Sequence, residues 1–228
     1  MLLFIVLQTL ICFIGMLTDV SLVVCDKLFH AHKLVLCASS DYFTTMFNGP
    51  LADHLGPEVH ISGISASTME LMLNYIYTGA VVITEENIQD ILEGACLLLL
   101  NNLRDRCGRF LRDRLDANNC LQVFSIAKSC SLAVLTDDAL EFISAIFQDV
   151  AMLEDFKQLS FDEVIDVLSL EDLSVPSEDH VLEVAFRWLN HDLYNREQKF
   201  VGVLKAIHLP YVSDHALNAY LEKEPALR

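Results

Sequence analysis

The sequence predicts an α+β domain, in which a short sheet is flanked by helices, followed by an all-α domain. The valine-rich apolar run Ser21–Cys25 is typical of a strand buried on both faces, and Leu28–Ala31 predicts a second short strand. Apolar residues then recur at helical spacing from Lys33 to Phe47. Beyond the polar break Asp116–Asn119 only helical patterns recur, so we expect no sheet in the second domain.

The rest of the first domain adds one more strand and several helices. Pro57–Ile61 predicts a short strand, and the capping-box pattern Ser67–Glu70 predicts the start of a helix. Gly79 is expected to end that helix in a left-handed conformation. Thr84 is expected to cap the next helix, whose acidic first turn suits the helix dipole. A further helix is expected to close near Leu115.

The second domain shows helix signals separated by short loops, so successive helices should pack antiparallel. Thr136, the capping box Ser160–Glu163 and the pair Pro176-Ser177 predict three helix starts. Val201–Ile207 predicts another helix, with Val201 facing the core, and Ser213 is expected to begin the last one.

The polar break sets the expected domain organisation. The expected domains are an atypical apolar terminus (residues 1–16), a first domain (residues 17–116), a second domain (residues 117–222) and a short tail (residues 223–228).

The composition excludes some classes of partner. A formal net charge of −17 argues against nucleic-acid binding, which needs a basic face to neutralise phosphates. The arginines of Arg104–Arg114 are interspersed with aspartates, a pattern typical of a solvated helix face. The seven scattered cysteines lack a Cys-x-x-Cys pair and mostly fall on apolar faces. They indicate reduced, buried thiols in a cytoplasmic or nuclear protein.

The first seventeen residues, Met1–Leu17, are almost wholly apolar. This length is the lower limit for a membrane span, and the positive charge that usually begins a signal peptide is missing. Two interpretations remain open: a membrane anchor or signal, or an atypical terminus that packs its apolar surface or stays disordered. We favour the second, because the remainder of the chain has a cytosolic character.

Several motifs of the first domain together resemble the BTB (POZ) domain. In that family the hairpin and the following helix form the sheet and the surface that meets other proteins. The resemblance covers about residues 17–116, although residues 1–16 replace the amphipathic helix that is usual there. The matching strings are His-Ala-His-Lys at 30–33, Tyr-Phe-x-x-Met-Phe at 42–47, Tyr-Ile-Tyr-Thr-Gly at 75–79 and Thr-Glu-Glu-Asn at 84–87.

The second domain resembles the BACK domain, which follows BTB in Kelch-like proteins. In that family Kelch repeats come next and form a propeller that holds a substrate. No such repeat occurs in these 228 residues, so we expect an adaptor that lacks a substrate-binding propeller. The matching strings are Leu115–Leu121, Asp172–Glu178, Arg187–Asp192 and His208–Pro210.

The resemblance implies binding to cullin-3, the scaffold of a ubiquitin ligase, through BTB and the start of BACK. A hydrophobic-x-acid motif after the central BTB helix is associated with this binding, and Leu51-Ala-Asp53 matches its place. An apolar anchor there can fill a pocket while the acid fixes register. Asp41, Tyr42 and Phe47 lie on the preceding helix, and some of them are expected to face the partner. Phe43 and Met46 are expected in the core. Alternatively, Leu51 only covers the helix end.

The resemblance also implies a dimer. Asp19 and Lys33 match a charged pair near the BTB dimer interface of the family, and Leu17 lies beside them. We expect homodimers or heterodimers with other BTB proteins. The other interpretation of Asp19 and Lys33 is an ordinary ion pair within one chain.

Enzymatic readings find little support in the residues. His30 and His32 alternate along a strand and could share a face, but no third metal ligand is near in sequence. Cys25 and Cys37 lie in apolar sequence settings that disfavour a thiolate. No nucleophile elbow, phosphate loop or His-Glu-x-x-His motif occurs, so we expect a non-catalytic protein without cofactor or metal.

Two functional classes therefore remain open. The first is the cullin-3 adaptor. The second is a BTB oligomerisation or scaffold module unrelated to ubiquitin ligation, such as a corepressor-recruiting or membrane-tethered protein.

Overall fold

The computed structural model describes residues 17–49 and 56–223, with side chains as far as Asn218. The chain divides into two compact units between Phe110 and Leu111. Within the described ranges no helix is both long and apolar enough to cross a bilayer, and residues 1–16 lie outside them.

The first unit contains a three-stranded sheet with the order β2-β1-β3. Strands β1 (Val20–Val24) and β2 (Lys27–Ala31) are antiparallel, whereas β1 and β3 (Glu58–His60) are parallel. The prediction that the first strand is buried on both faces was wrong. Val20, Leu22 and Val24 are buried, but the alternating side chains on the other face are only half-buried, because that face is not fully covered.

The single helical period that we predicted from Lys33 to Phe47 is in fact two helices. Helix α1 (Lys33–Ser39) ends at Ser40, whose backbone is extended (φ −145°, ψ 121°), and α2 (Asp41–Asn48) begins directly after it. Ser40 interrupts the helical backbone and caps the second helix. The apolar spacing in the sequence continues across this interruption, so it did not reveal that there are two helices.

Three more helices complete the first unit: α3 (Ala66–Thr78), α4 (Ile88–Leu97) and α5 (Asn101–Arg112). The predicted capping box at Ser67 was wrong, because Ser65 is the residue whose side chain accepts the Thr68 N–H. The prediction for Gly79 is confirmed. Its φ of +72° is the left-handed conformation that glycine adopts without strain, and its N–H donates to the Tyr75 carbonyl.

Helix α4 begins three residues later than predicted, because Asn87 and not Thr84 is the residue that precedes its first turn. Asn87 is responsible, because its side-chain oxygen accepts the Thr84 N–H at 2.8 Å while its amide donates to the Val82 carbonyl at 3.0 Å. These bonds fold residues 84–87 into a turn, and the predicted acidic first turn lies before the helix.

All regular secondary-structure elements in the described residues of the second unit are helices. Its α-helices are α6 (Cys120–Ser129), α7 (Ala133–Ala145), α8 (Phe147–Val150), α9 (Phe161–Leu168), α10 (Glu178–His191), α11 (Leu193–Arg196), α12 (Phe200–Ala206) and α13 (Asp214–Lys223). Short 3-10 turns cover Glu154–Gln158, Glu197–Lys199 and Leu209–Tyr211.

Local signals predicted some of these helix starts and missed others. The capping box at Ser160 is confirmed, with both of its reciprocal bonds to Glu163 present. Thr136 does not begin a helix: it lies inside α7, and its hydroxyl donates to the Leu132 carbonyl. The predicted inward position of Val201 was wrong, since it is 60% exposed and Val203 is buried.

Close packing of α12 explains the error at Val201. A Cβ atom on Gly202 would lie 2.6 Å from Cζ of Phe161, so the helix backbone presses directly on that ring. This approach turns Val203 inward and Val201 outward.

The core of the second unit is organised around Trp188, which is buried. Its indole N–H donates to the Leu159 carbonyl at 2.9 Å, and the Arg196 guanidinium lies 3.9 Å from its ring centre. Arg196 also donates to the carbonyls of Trp188 and Lys157, at 2.6 and 2.9 Å. One cation therefore stacks on the tryptophan and fixes the 3-10 turn beside it.

Replacing Arg196 with methionine should destabilise the second unit by about 1–3 kcal/mol. The carbonyls of Trp188 and Lys157 would lose their donor, and the Trp188 ring would lose its cation. Trp188 is the only tryptophan, so its fluorescence during urea unfolding reports this unit. Lys205→Met is the matched control, since it makes the same type of change at an exposed position. Equal midpoints for the two variants would contradict the bracing role of Arg196.

Candidate protein-interaction site

Helix α2 carries the predicted interaction residues, and Ser40 holds it in place. The buried Ser40 hydroxyl accepts the Phe43 N–H at 3.3 Å and donates to the Leu98 carbonyl at 2.6 Å. The first bond caps α2, and the second ties its beginning to the end of α4.

A second set of bonds fixes α2 against α1. The Thr44 hydroxyl lies 2.8 Å from the Cys37 carbonyl and 3.0 Å from the Ser40 carbonyl. The Cys37 thiol donates to the Phe43 carbonyl across 3.6 Å. Side-chain groups of both helices thus satisfy backbone groups at their junction, which makes the pair a rigid support.

The aromatic residues of α2 separate into core and surface. Phe43 is fully buried, as predicted, and it contacts the half-buried rings of Tyr42 (5.3 Å, edge-on) and Phe47 (5.9 Å, stacked). Burial raises the pKa of the Tyr42 phenol, which therefore stays protonated and able to donate a hydrogen bond near neutral pH. Met46 is half-buried, so the prediction that it lies in the core was only partly right.

Leu51 and Asp53, the predicted anchor and acid, lie outside the described residues. Asp41, in the first turn of α2, is described and exposed. Its carboxylate forms no hydrogen bond or ion pair with any part of the chain that the structure describes.

A cleft of about 360 Å³ opens beside the beginning of α2. It is lined by residues 37–41, by Tyr75, Ile76 and Gly79 at the end of α3, and by residues 99–102 between α4 and α5. Leu99 at its edge has a φ of +51°, a left-handed conformation that costs a branched residue on the order of 1 kcal/mol.

The predicted dimer residues lie just before β1, the central strand of the sheet, and at the start of α1. Leu17 is 85% exposed, and Leu34 in α1 is 80% exposed. The Asp19 carboxylate accepts the Lys33 backbone N–H at 2.7 Å, while the Lys33 ammonium lies 5.4 Å from the centre of the Phe47 ring. Asp19 therefore satisfies a free N–H at the start of α1, and the lysine head points to α2.

Comparisons with known proteins agree with this architecture. The BTB/POZ domain family matches residues 14–115, and the BACK family, described as BTB And C-terminal Kelch, matches residues 120–222. Kelch-like protein 17 of Mus musculus and of Rattus norvegicus are each 33% identical over 214 residues, or 94% of this chain. The chain belongs to the BTB–BACK proteins of the Kelch-like family. It spans about a third of the length of these relatives, 33% in each case.

The BTB domain uses its two candidate metal ligands for other contacts. His30 Nδ1 lies 3.0 Å from the Ser21 hydroxyl, and His32 Nδ1 lies 2.8 Å from the Tyr77 hydroxyl. No group of three potential metal ligands occurs within residues 17–49 and 56–223.

The cysteines of the described chain are free thiols, but fewer are buried than we predicted. Cys107 and Cys120 are buried, whereas Cys25 is exposed in the turn between β1 and β2. Cys25 was expected in an apolar setting because the first strand was predicted to run from Ser21 to Cys25, whereas β1 runs from Val20 to Val24 and leaves Cys25 in the turn.

Sequence reasoning missed the cleft because its lining comes from three separate segments of the BTB domain. The bond between Ser40 and Leu98 joins residues 58 positions apart, and no local pattern indicates it. Asn101 and Asn102 gave no signal either, since polar residues at a helix start are common.

Ser40→Ala should destabilise the BTB domain by about 1–3 kcal/mol, because α2 loses its cap and the Leu98 carbonyl loses its donor. Ser39→Ala is the control, since the neighbouring serine is exposed. Thermal unfolding followed by circular dichroism distinguishes them: we expect a lower midpoint for Ser40→Ala only, and equal midpoints would contradict the role given to its hydroxyl.

Proposed function

We propose that this chain is a non-catalytic adaptor that binds cullin-3 through its BTB domain and the first helices of its BACK domain. The observation that carries the proposal is the succession of a BTB domain and a BACK domain along residues 14–222. In the Kelch-like family this pair holds the ubiquitin-ligase scaffold. We further propose that the chain acts in the cytoplasm or nucleus, which imaging of a tagged chain tests.

The geometry of α2 supports this use of the BTB domain. Ser40 and Thr44 fix the helix, so the exposed edges of Tyr42 and Phe47 are held in place before a partner arrives. Preorganised aromatic side chains lose little conformational entropy on binding. Leu51 and Asp53 follow the helix within a few residues and would extend this surface with an apolar anchor and an acid.

Leu51→Asp should weaken binding of the cullin-3 N-terminal region by roughly thirtyfold or more, since an interface anchor contributes about 2 kcal/mol. Calorimetry with the purified full chain measures this affinity directly. Val201→Asp is the matched control, because it places the same charge at an exposed apolar position in the BACK domain.

Two results would count against the adaptor. If the parent chain does not bind cullin-3, the adaptor role fails. If Leu51→Asp binds as tightly as the parent, cullin-3 uses another surface of the BTB domain.

The second candidate function is a BTB oligomerisation scaffold, and the exposed side chains of Leu17 and Leu34 favour it. Large apolar side chains that are 85% and 80% exposed are stabilised when another chain covers them. We propose that Leu17, Asp19 and Lys33 lie in or beside a dimer interface with a second copy or another BTB protein. A dimer and a cullin-3 adaptor are compatible functions.

Leu17→Asp should shift the chain towards monomer in sedimentation velocity at micromolar concentrations, because a carboxylate would be buried without a partner. Its positive φ of 59° tolerates aspartate, so the fold should be retained. Val82→Asp, at another exposed apolar position, is the control and should leave the distribution unchanged. A monomeric parent chain, or a dimer insensitive to Leu17→Asp, would contradict this interface.

A further inference from the structure

We propose that the cleft beside the start of α2 receives an arginine side chain of the partner, with Asp41 as the carboxylate that binds it. The inference rests on the proposed function, because the partner used to test it is cullin-3. It adds a second contact to the surface formed by α2, in a cleft that the sequence did not indicate.

The size and lining of the cleft suit a guanidinium group. A volume of about 360 Å³ lies at the lower end of the range for ligand pockets, which is enough for one long side chain. Asp41, Asn101, Asn102 and Ser39 supply oxygen acceptors around it, while Ile76 and Leu99 supply apolar surface for the arginine stem.

Asp41 is available for such a contact. It is exposed, and no cation or donor in the described chain is bonded to its carboxylate. Among the described residues that line the cleft, Asp41 is the only one that carries a charge. A partner segment that enters the cleft therefore meets a negative potential and gains from positive charge.

Arginine fits this site better than lysine. Its planar guanidinium presents five donors in a fixed arrangement, can bind a carboxylate with two bonds, and is more weakly hydrated than an ammonium. The remaining donors can reach the amide oxygens of Asn101 and Asn102, which lie in the same cleft.

Leu99 forms one edge of the cleft and ends α4 in a left-handed conformation. Its left-handed conformation is costly for leucine, and the side chain remains 45% exposed. The neighbouring bond from Leu100 N to the Ala95 carbonyl (2.8 Å) fixes this reversal between α4 and α5.

The test compares full-length variants for binding to the purified cullin-3 N-terminal region by calorimetry at two salt concentrations. We expect Asp41→Asn to bind about tenfold more weakly at low salt, and Asp41→Arg to bind weaker still because like charges meet. The affinity of Asp41→Asn should also depend less on salt than that of the parent chain. Asp26→Asn is the matched control, since it removes the same charge from the exposed hairpin turn outside the cleft.

Single Arg→Ala variants of the cullin-3 region then identify the entering side chain. One of them should weaken binding to the parent chain about tenfold and have little further effect on Asp41→Asn. Asp41 also interacts favourably with the α2 dipole, so its replacement could destabilise the fold. The unfolding midpoints of the Asp41 variants are therefore measured to check that the fold is retained.

The outcomes separate this inference from the proposed function. If the parent chain does not bind cullin-3, the proposed function fails and the arginine contact fails with it. If the parent binds and Asp41→Asn binds equally tightly, the adaptor role stands and Asp41 serves only the helix dipole. If Asp41→Asn weakens binding but none of the Arg→Ala variants couples to Asp41, the choice of an arginine side chain is overturned.

Discussion

The interaction on which the candidate site depends is the pair of bonds made by the buried hydroxyl of Ser40. One bond begins α2, and the other joins α2 to the carbonyl of Leu98 at the end of α4. Without the first bond the break between α1 and α2 loses its cap. Without the second bond the start of α2 loses its direct bond to the end of α4, next to residues 99–102 of the cleft. A single serine thus positions both the aromatic surface of α2 and the cleft beside it.

Features determined by neighbouring residues could be predicted from the sequence. The left-handed end at Gly79 and the capping box at Ser160 depend on bonds within one turn, and both were predicted correctly. The break at Ser40 could not be predicted, because its decisive partner is 58 residues away. The inward side of α12 could not be predicted either, since it is set by the contact of Gly202 with the Phe161 ring. The cleft, assembled from three segments, follows from tertiary packing alone.

The BTB domain combines a rigid support with a surface that is chemically suited to another protein. Hydrogen bonds between side chains and backbone hold α1, α2 and the α4–α5 junction, so the edges of Tyr42 and Phe47 stay fixed. Asp41 extends that surface with an exposed charge in a stretch without basic residues. Such a surface binds by complementarity and needs no bond-making chemistry, which is the behaviour expected of an adaptor.

Hydrogen exchange of the chain with and without the cullin-3 N-terminal region tests the central claim most directly. Hydrogen exchange reports the protection of individual amides, so it can be followed along the BTB–BACK chain without any substitution. The adaptor account predicts that the partner slows exchange in the amides of α2 and of residues 99–102, and leaves the β1–β2 turn at Cys25 unchanged. Unaltered exchange in α2 and residues 99–102, with the partner present at saturating concentration, would contradict it.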